Sequence, residues 1–258
     1  MKLSVYLIVK NEASRLAKTL QQAKRIADEL VIVDSGSTDN TLEIATSFGA
    51  KTAHHDWQSY CDQKHYAETL CSNDWVLMID ADEVLSDDLV AELNEFKKTD
   101  APKYVAYNLK ISNVFPYDEK PPFFAETFNV VRLYNKTICT LPPDKQNKDR
   151  VFIPKGHKIG QFKKHIYHYS LLDVEHAIDK YNKHSSELQR MFMQKNRTVS
   201  VIRLFIEFPY QFFRYYVLHR FFLNGAKGFT QAMILTIFRW LKVAKIYQNQ
   251  NKQVNHGK

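Results

Sequence analysis

The sequence predicts an α/β fold, a mostly parallel sheet with helices on both faces, followed by a helical C-terminal segment. Three observations carry that expectation. Apolar runs of strand length recur at residues 3 to 9, 30 to 34 and 75 to 80, helically spaced stretches separate them, and from Val199 onward the composition turns aromatic and basic. Strands alternating with helices join in parallel through right-handed crossovers, which leaves helices covering both sheet faces.

LSVYLIV (3 to 9) is the first strand. It lies near the N-terminus, but a seven-residue run ending in Lys10-Asn11-Glu12 is too short for a signal h-region with a small-residue cleavage site. Ser14 to Ile26 repeats Leu16, Leu20, Ala23 and Ile26 at helical spacing, and LVIVD (30 to 34) is a second buried strand. In SGSTDNT, Ser37 or Thr38 is expected to cap the helix TLEIATSF, which Gly49 stops in the C′ position before a weaker strand, AKTAHHD. Tyr60 to Cys71 reads as a helix, WVLMID (75 to 80) as the most apolar strand, and Ser86 as the cap of a helix over 87 to 96.

KNE (10 to 12), DSGSTD (34 to 39) and DADE (80 to 83) each follow a strand directly, so all three are expected at the carboxyl edge of the sheet, where such folds bind ligands. Beyond about residue 102, KYVAYNLKISNVF and FNVVRLYNK read as longer strands around the Pro-rich segment DEKPPFFAE. Val199 to Tyr247 holds thirteen aromatics, seven Lys or Arg and a single acid, Glu207. Pro209 and NGAKG (224 to 228) divide it into about three helical pieces. The expected domains are 1–198, with halves 1–101 and 102–198, and a C-terminal segment 199–258.

The chain has 258 residues, 45% of them hydrophobic, enough for a proper core, and a formal net charge of +8 with 13% aromatics. That balance points to an anionic partner such as a phosphorylated substrate, anionic lipid or nucleic acid, without choosing among them. Cys61, Cys71 and Cys139 form an odd set with no Cys-x-x-Cys pair, which argues against a disulfide framework or a thiolate zinc site and for a reducing, cytoplasmic location.

Against this positive background, VLMIDADEVLS (76 to 86) sets Asp80, Asp82 and Glu83 where an apolar strand ends. Two carboxylates crowded at a buried strand end repel, and a divalent cation relieves that repulsion. Oxygen ligands select Mg²⁺ or Mn²⁺ over zinc, and such a cation can be shared with a nucleotide diphosphate. Asp34 ends a second apolar strand in the same way. An EF-hand is excluded, because Val84 and Leu85 stand where a ligand and a glycine are required.

SVYLIVKNEA, VIVDSGSTDNT, the QK of DQKHYAE, DWVLMIDADE, RLY at 132 to 134 and HYS at 168 to 170 resemble, in order and approximate spacing, the motifs of family 2 glycosyltransferases of the GT-A (Rossmann-like) fold. Within that family they resemble the lipopolysaccharide-core β-1,4-glucosyltransferase group. The resemblance implies that Glu12 and Asp34 line the nucleotide pocket, Asp34 meeting the uracil, with Lys64 near the nucleotide, Asp80 at the ribose and Asp82 at the metal. His168 resembles the histidine that closes the metal site. Read without the resemblance, Lys64 is a solvated helix residue and Glu12 a helix-dipole residue. His165 is three residues before His168 on a strand and faces the other way, so the two cannot clamp one metal.

One departure stands out. The group carries a His-Glu step between its RLF-like and HYS segments, with the Glu as catalytic base, whereas this chain has PPDKQNKDRVF. Asp149 falls at that place with one residue of slack, Asp144 is the reserve, and a third reading is that neither is the base. The implied reaction is an inverting transfer of a hexose, glucose in the group, from a UDP-sugar to a hydroxyl of a lipid-linked core oligosaccharide, an inner-core heptose in the group. No stretch of the basic aromatic tail is long enough to span a bilayer, so it reads as helices lying on the inner face of the cytoplasmic membrane. Two rival readings remain: a haloacid-dehalogenase-like phosphatase using Asp80 and Asp82, and a non-enzymatic membrane- or nucleic-acid-binding protein. No RNA- or DNA-binding motif supports the last, and nucleic acid is not an expected partner.

Overall fold

The computed structural model describes residues 1–99, 101–116, 118–143, 150–195 and 197–256. The chain forms two compact units, Met1–Asn113 with Thr127–Ser170, and Val114–Glu126 with Leu171–Lys258. The division falls after Ser170, so it does not coincide with the compositional boundary at 198.

The first unit holds eight strands: β1 (Leu3–Val9), β2 (Glu29–Asp34), β3 (Lys51–His54), β4 (Trp75–Met78), β5 (Glu83–Leu85), β6 (Ala106–Asn113), β7 (Thr127–Asn135) and β8 (Ile159–His168). Its helices are α1 (Ala13–Ala23), α2 (Thr41–Ser47), α3 (Tyr60–Leu70) and α4 (Asp87–Lys97). The strands make one sheet in the order β3-β2-β1-β4-β7-β6-β8-β5. The β1–β2, β2–β3, β1–β4 and β6–β8 pairs are parallel, whereas β4–β7, β6–β7 and β5–β8 are antiparallel. Strands β1 to β4 are parallel as their strand-helix rhythm requires, and the reversal comes with β7, which pairs antiparallel with both β4 and β6.

Strand alternation sorts the core into two layers. Leu3, Val5 and Leu7 of β1, Leu30 and Ile32 of β2 and Leu77 of β4 pack with Leu16, Leu20, Leu89 and Leu93 of α1 and α4. The alternate residues Tyr6, Val31, Val33, Val76 and Met78 face the other way, against Ala67 of α3 and Cys71. Helices thus cover both faces. Glycine marks one boundary as expected: Gly49, at φ +76°, ends the turn after α2. Ser86 caps α4 by accepting from the Leu89 amide. Neither Ser37 nor Thr38 caps α2, whose N-cap is Asn40, because both are drawn into the loop described below.

The second unit contains α5 (Val174–Gln194), α6 (Val201–Phe213) and α7 (Gly225–His256). A π-helical turn (Arg214–Leu218) and a 3₁₀ turn (Phe221–Asn224) join the last two. The expected break at Pro209 does not occur, since Pro209 lies inside α6 and the chain loosens one turn later. Nor does Gly228 interrupt α7. The sequence reading also leaves α5 in the first domain, whereas it belongs to this unit. Phe115, Tyr215, Phe221 and Ala232 form one buried cluster here, and Val199, Val243 and Ile246 another. No helix among the described residues is long and apolar enough to cross a membrane.

One buried polar group stitches the first unit across its sheet. The Tyr134 hydroxyl donates to Glu68 of α3 and lies 2.7 Å from the Tyr6 hydroxyl, while Glu68 also accepts from the Leu141 amide and the Thr140 hydroxyl at 3.2 Å each. Burial pushes the Tyr134 phenol well above its ordinary value, so it stays a donor at any working pH. Tyr134→Phe strips this group of its central hydroxyl without leaving a cavity. We expect a loss of about 1 to 3 kcal/mol, read as a lower urea midpoint at unchanged slope. An unchanged midpoint would refute the role given to Tyr134.

Candidate active site

Three loops meet at the carboxyl edge of β1, β2 and β4. The first two are knitted by side chains. Asp34 accepts from the amides of Gly36 (2.9 Å) and Ser37 (3.0 Å), a turn that Gly36 permits at φ +93°. The loop so shaped then caps its neighbour: the Asn11 amide donates to Ser37 Oγ (2.9 Å), the Glu12 amide to Thr41 Oγ1 (2.8 Å) and the Ala13 amide to Asp39 Oδ2 (3.2 Å). The three successive amides that lead into α1 are therefore satisfied from the α2 loop. Glu12 makes no side-chain cap, and its carboxylate is left to receive the Arg15 guanidinium, with Nη2 at 3.0 Å from Oε1.

Beside this edge lies a cavity of about 330 Å³ lined by Ile8, Val9, Lys10, Glu12, Ser35, Trp57 and Tyr60. Trp57 and Tyr60 meet edge to face at 4.8 Å and are both exposed, which gives the cavity an aromatic wall. Lys10 adds a cation to the lining.

The third loop is set by a different device. After β4 the chain turns through Asp80-Ala81-Asp82, held by the Glu83 amide donating to the Asp80 carbonyl at 3.0 Å. It returns as β5, whose antiparallel pairing places Glu83 opposite His168 and Val84 opposite Tyr167. Inside the turn, Lys64 Nζ lies 2.8 Å from Asp80 Oδ1, and Arg132 Nη2 donates to Asp80 Oδ2 (2.9 Å) and to Glu83 Oε1 (2.5 Å). The Asp80 amide donates to Glu83 Oε2 at 3.0 Å. Two cations thus face two acids, and Lys64, far from being solvated, is only 2% exposed. Burial pushes the Asp80 carboxyl up, but Lys64 and Arg132 outweigh it and hold it well below the carboxylate range. Burial dominates at Glu83 and pushes that carboxyl up.

Asp82 points to another set of partners. Its Oδ2 lies 3.4 Å from His168 Nε2 and 3.6 Å from Arg15 Nη1, and the other His168 ring nitrogen lies 3.0 Å from Asn113 Oδ1. Burial pushes its carboxyl up as well, and His168 and Arg15 prevail to bring it down. His165 faces away, with Nδ1 2.7 Å from Ser112 Oγ. The Asp82–His168 pair suits a hard divalent cation: two adjacent octahedral ligands at about 2.1 Å from a metal stand about 3 Å apart, near the separation found. Among the described residues no third His, Cys, Asp or Glu joins them, so water and substrate oxygens would fill the other positions, a coordination that Mg²⁺ and Mn²⁺ favour.

The candidate residues Glu12, Asp34, Lys64, Asp80, Asp82 and His168 therefore gather at one edge. Asp149 and Asp144 lie outside the described residues. Arg15, Arg132, Trp57 and Tyr60 belong to the same neighbourhood and were not singled out from the sequence. Arg15 carried a usable signal, its i+3 spacing from Glu12 on a helix, whereas nothing local ties Arg132 to an acid 52 residues away. The Asp80 carboxylate, engaged on both oxygens by cations, is poorly placed to be the nucleophile of a phosphatase.

The network makes a signed prediction. The folded Asp80 value lies below its ordinary 3.8, so the stability it contributes is present above that pH and is lost as pH falls through the folded value. Lys64→Met removes much of this contribution. The variant should be less stable at pH 7 by about 2 to 3 kcal/mol, toward the low end for breaking a buried pair because part of the Asp80 side chain meets solvent. Its urea-unfolding gap to the wild type should narrow below about pH 4. A gap that does not change with pH would contradict the assignment.

Comparison with known proteins places the chain in a family. The chain is 37% identical to an uncharacterized glycosyltransferase of Rickettsia felis, over 98% of this chain and 92% of the relative. It is 28% identical to the lipopolysaccharide core biosynthesis glycosyltransferase LpsC of Rhizobium meliloti, over 95% of this chain and 92% of LpsC. The fold is that of S. aureus TarS 1-349, solved in complex with UDP-GlcNAc, which superposes with a TM-score of 0.53 at 14% identity over 92% of this chain and 90% of TarS 1-349. The sequence model of Glycosyl transferase family 2 matches residues 4–165. With that match across more than half of its length, the chain belongs to glycosyl transferase family 2 and is a glycosyltransferase.

Proposed function

We propose that this glycosyltransferase moves a hexose, glucose by the group it resembles, from a UDP-sugar to a hydroxyl of a lipid-linked core oligosaccharide, with inversion and with Mg²⁺ or Mn²⁺. The acceptor is an inner-core heptose in lipopolysaccharide or lipooligosaccharide assembly, and the enzyme works at the inner face of the cytoplasmic membrane. The observation that carries the reading is the Asp82–His168 pair, 3.4 Å apart and joined through Arg15 and Glu12 to a cavity with an aromatic wall. LpsC, a lipopolysaccharide core biosynthesis enzyme matched along nearly the whole chain, supports the acceptor class. TarS 1-349, solved with UDP-GlcNAc, supports a UDP-sugar donor.

In this reading Trp57 and Tyr60 flank the uracil and the loop ordered by Asp34 bounds it. Asp80, fixed by Lys64 and Arg132, offers its remaining acceptor capacity to the ribose. Asp82 and His168 would hold the divalent cation, and the chemistry it would supply there is positive charge against the diphosphate. Lys10 and Arg15 add fixed positive charge on the same side. The acceptor oxygen attacks the anomeric carbon as its bond to the diphosphate oxygen breaks, UDP leaves, and the acceptor proton passes to a carboxylate, Asp149 or in its place Asp144.

Asp82→Ala should lose turnover by about a hundredfold or more while keeping its far-UV CD spectrum and a cooperative urea transition, because it removes one of two proposed protein ligands. Near-normal turnover would overturn the metal assignment. UDP-glucose and other UDP-sugars offered with truncated lipid A-core acceptors should yield a β-linked product by NMR. An α-linked product would overturn inversion, and no transfer from any UDP-sugar would overturn the donor class.

A further inference from the structure

Charge in this chain is not spread evenly. Of its net +8, the second unit supplies fifteen Lys or Arg against eight Asp or Glu, which leaves the first unit near neutrality. The same unit carries the most exposed large apolar side chains. On α6, Ile202, Phe205, Ile206, Tyr210 and Phe213 are all exposed, Phe205 by 74%. At 3.6 residues per turn they fall, with Pro209, within about 140° of the helix circumference. The opposite side carries the buried Glu207 and Gln211 and is the side that packs inward, where the Leu204 carbonyl accepts from Trp240 of α7. An apolar stripe of this width normally faces a core, and here the stripe is the face turned outward.

The stripe continues past the helix. Val217 and Leu218 of the π-helical turn and Phe222 and Leu223 of the 3₁₀ turn are exposed, as are Phe123 and Phe124 on the Pro-rich loop of the same unit. That loop is fastened to the turn by Asn224 Nδ2 donating to the Phe123 carbonyl at 3.2 Å and by the Arg220 guanidinium 4.6 Å from the centre of the Phe124 ring. Phe124 (φ 63°) and Arg220 (φ 59°) both adopt left-handed backbone, costly for these residue types, so the contact is held against local strain. Basic side chains border the apolar field: Arg203 and Arg214 lie on the flank of α6 between its exposed and buried sides, and Arg220 at its end.

We propose that α6, the two turns after it and the Phe123-Phe124 loop form one docking surface for an anionic lipid bilayer. The apolar residues enter the interface and Arg203, Arg214 and Arg220 meet the phosphate headgroups. Helices that lie in an interface combine such a stripe with flanking cations, and a complementary surface that is both negative and apolar is what a bilayer of anionic lipids offers. The inference names the surface by which the membrane location in the function above would be reached, and its test needs neither donor nor acceptor.

The full chain should co-sediment with vesicles of phosphatidylcholine containing about a third phosphatidylglycerol, and far less with phosphatidylcholine alone or at high salt. The variant combining Ile202→Ser, Phe205→Ser and Phe213→Ser should lose at least about tenfold in partitioning while keeping its CD spectrum, since all three side chains are exposed. Arg214→Gln and Arg220→Gln should each cost about fivefold on the anionic vesicles only. Equal binding to neutral vesicles, or serine and glutamine variants that bind like the parent, would overturn the proposal. So would absence of vesicle binding together with self-association abolished by the serine variant, which would make this face an interface between copies of the chain.

Discussion

The turn that ends β4 depends on two buried cations meeting two acids at the edge of solvent. Asp80 and Glu83 are three residues apart and face the same place, and without Lys64 and Arg132 their repulsion, only partly screened by solvent, would force one of them out. With both cations present the four charges balance. The consequence is geometric before it is chemical: the pinned turn sets where β5 begins, and the pairing of β5 with β8 puts His168 opposite Glu83 and within reach of Asp82. Two distant elements, α3 through Lys64 and β7 through Arg132, thus determine the position of residues that neither contains.

How much of this could be read from the chain depended on range. The strands β1, β2 and β4 were legible because each is a continuous apolar run, as burial on both faces requires, and the acids at their ends stood out against that background. The meeting of KNE, DSGSTD and DADE at one edge followed from parallel pairing alone. What escaped the sequence is tertiary. A lysine on a helix of alternating polarity reads as solvated, and nothing adjacent to Lys64 reveals the acid that justifies its burial. The three-residue β5 is too short to give a periodic signal and exists only because β8 is there to pair with it. Pro209 misled for a similar reason. It lacks only the amide that would reach the Phe205 carbonyl, on the exposed side of α6, so its cost fell where packing could tolerate it.

The acids at the end of β4 answer to different partners, and the distances separate their roles. Asp80 is met at 2.8 and 2.9 Å by two cations that are themselves buried, so exchanging either for another ligand would strand a charge. Asp82 is met at 3.4 and 3.6 Å, by an imidazole and by a guanidinium already bound to Glu12. Its compensation is loose and replaceable. A guanidinium that leaves Asp82 keeps its partner in Glu12 and can turn toward an incoming anion. An acid compensated in this way can change partners at low cost. The tightly held pair, Asp80 and Glu83, fixes the geometry, and Asp82, held at longer range, is the acid that the proposed function gives to the cation. One short acidic segment can in this way be a structural joint and, in the proposed function, a site as well.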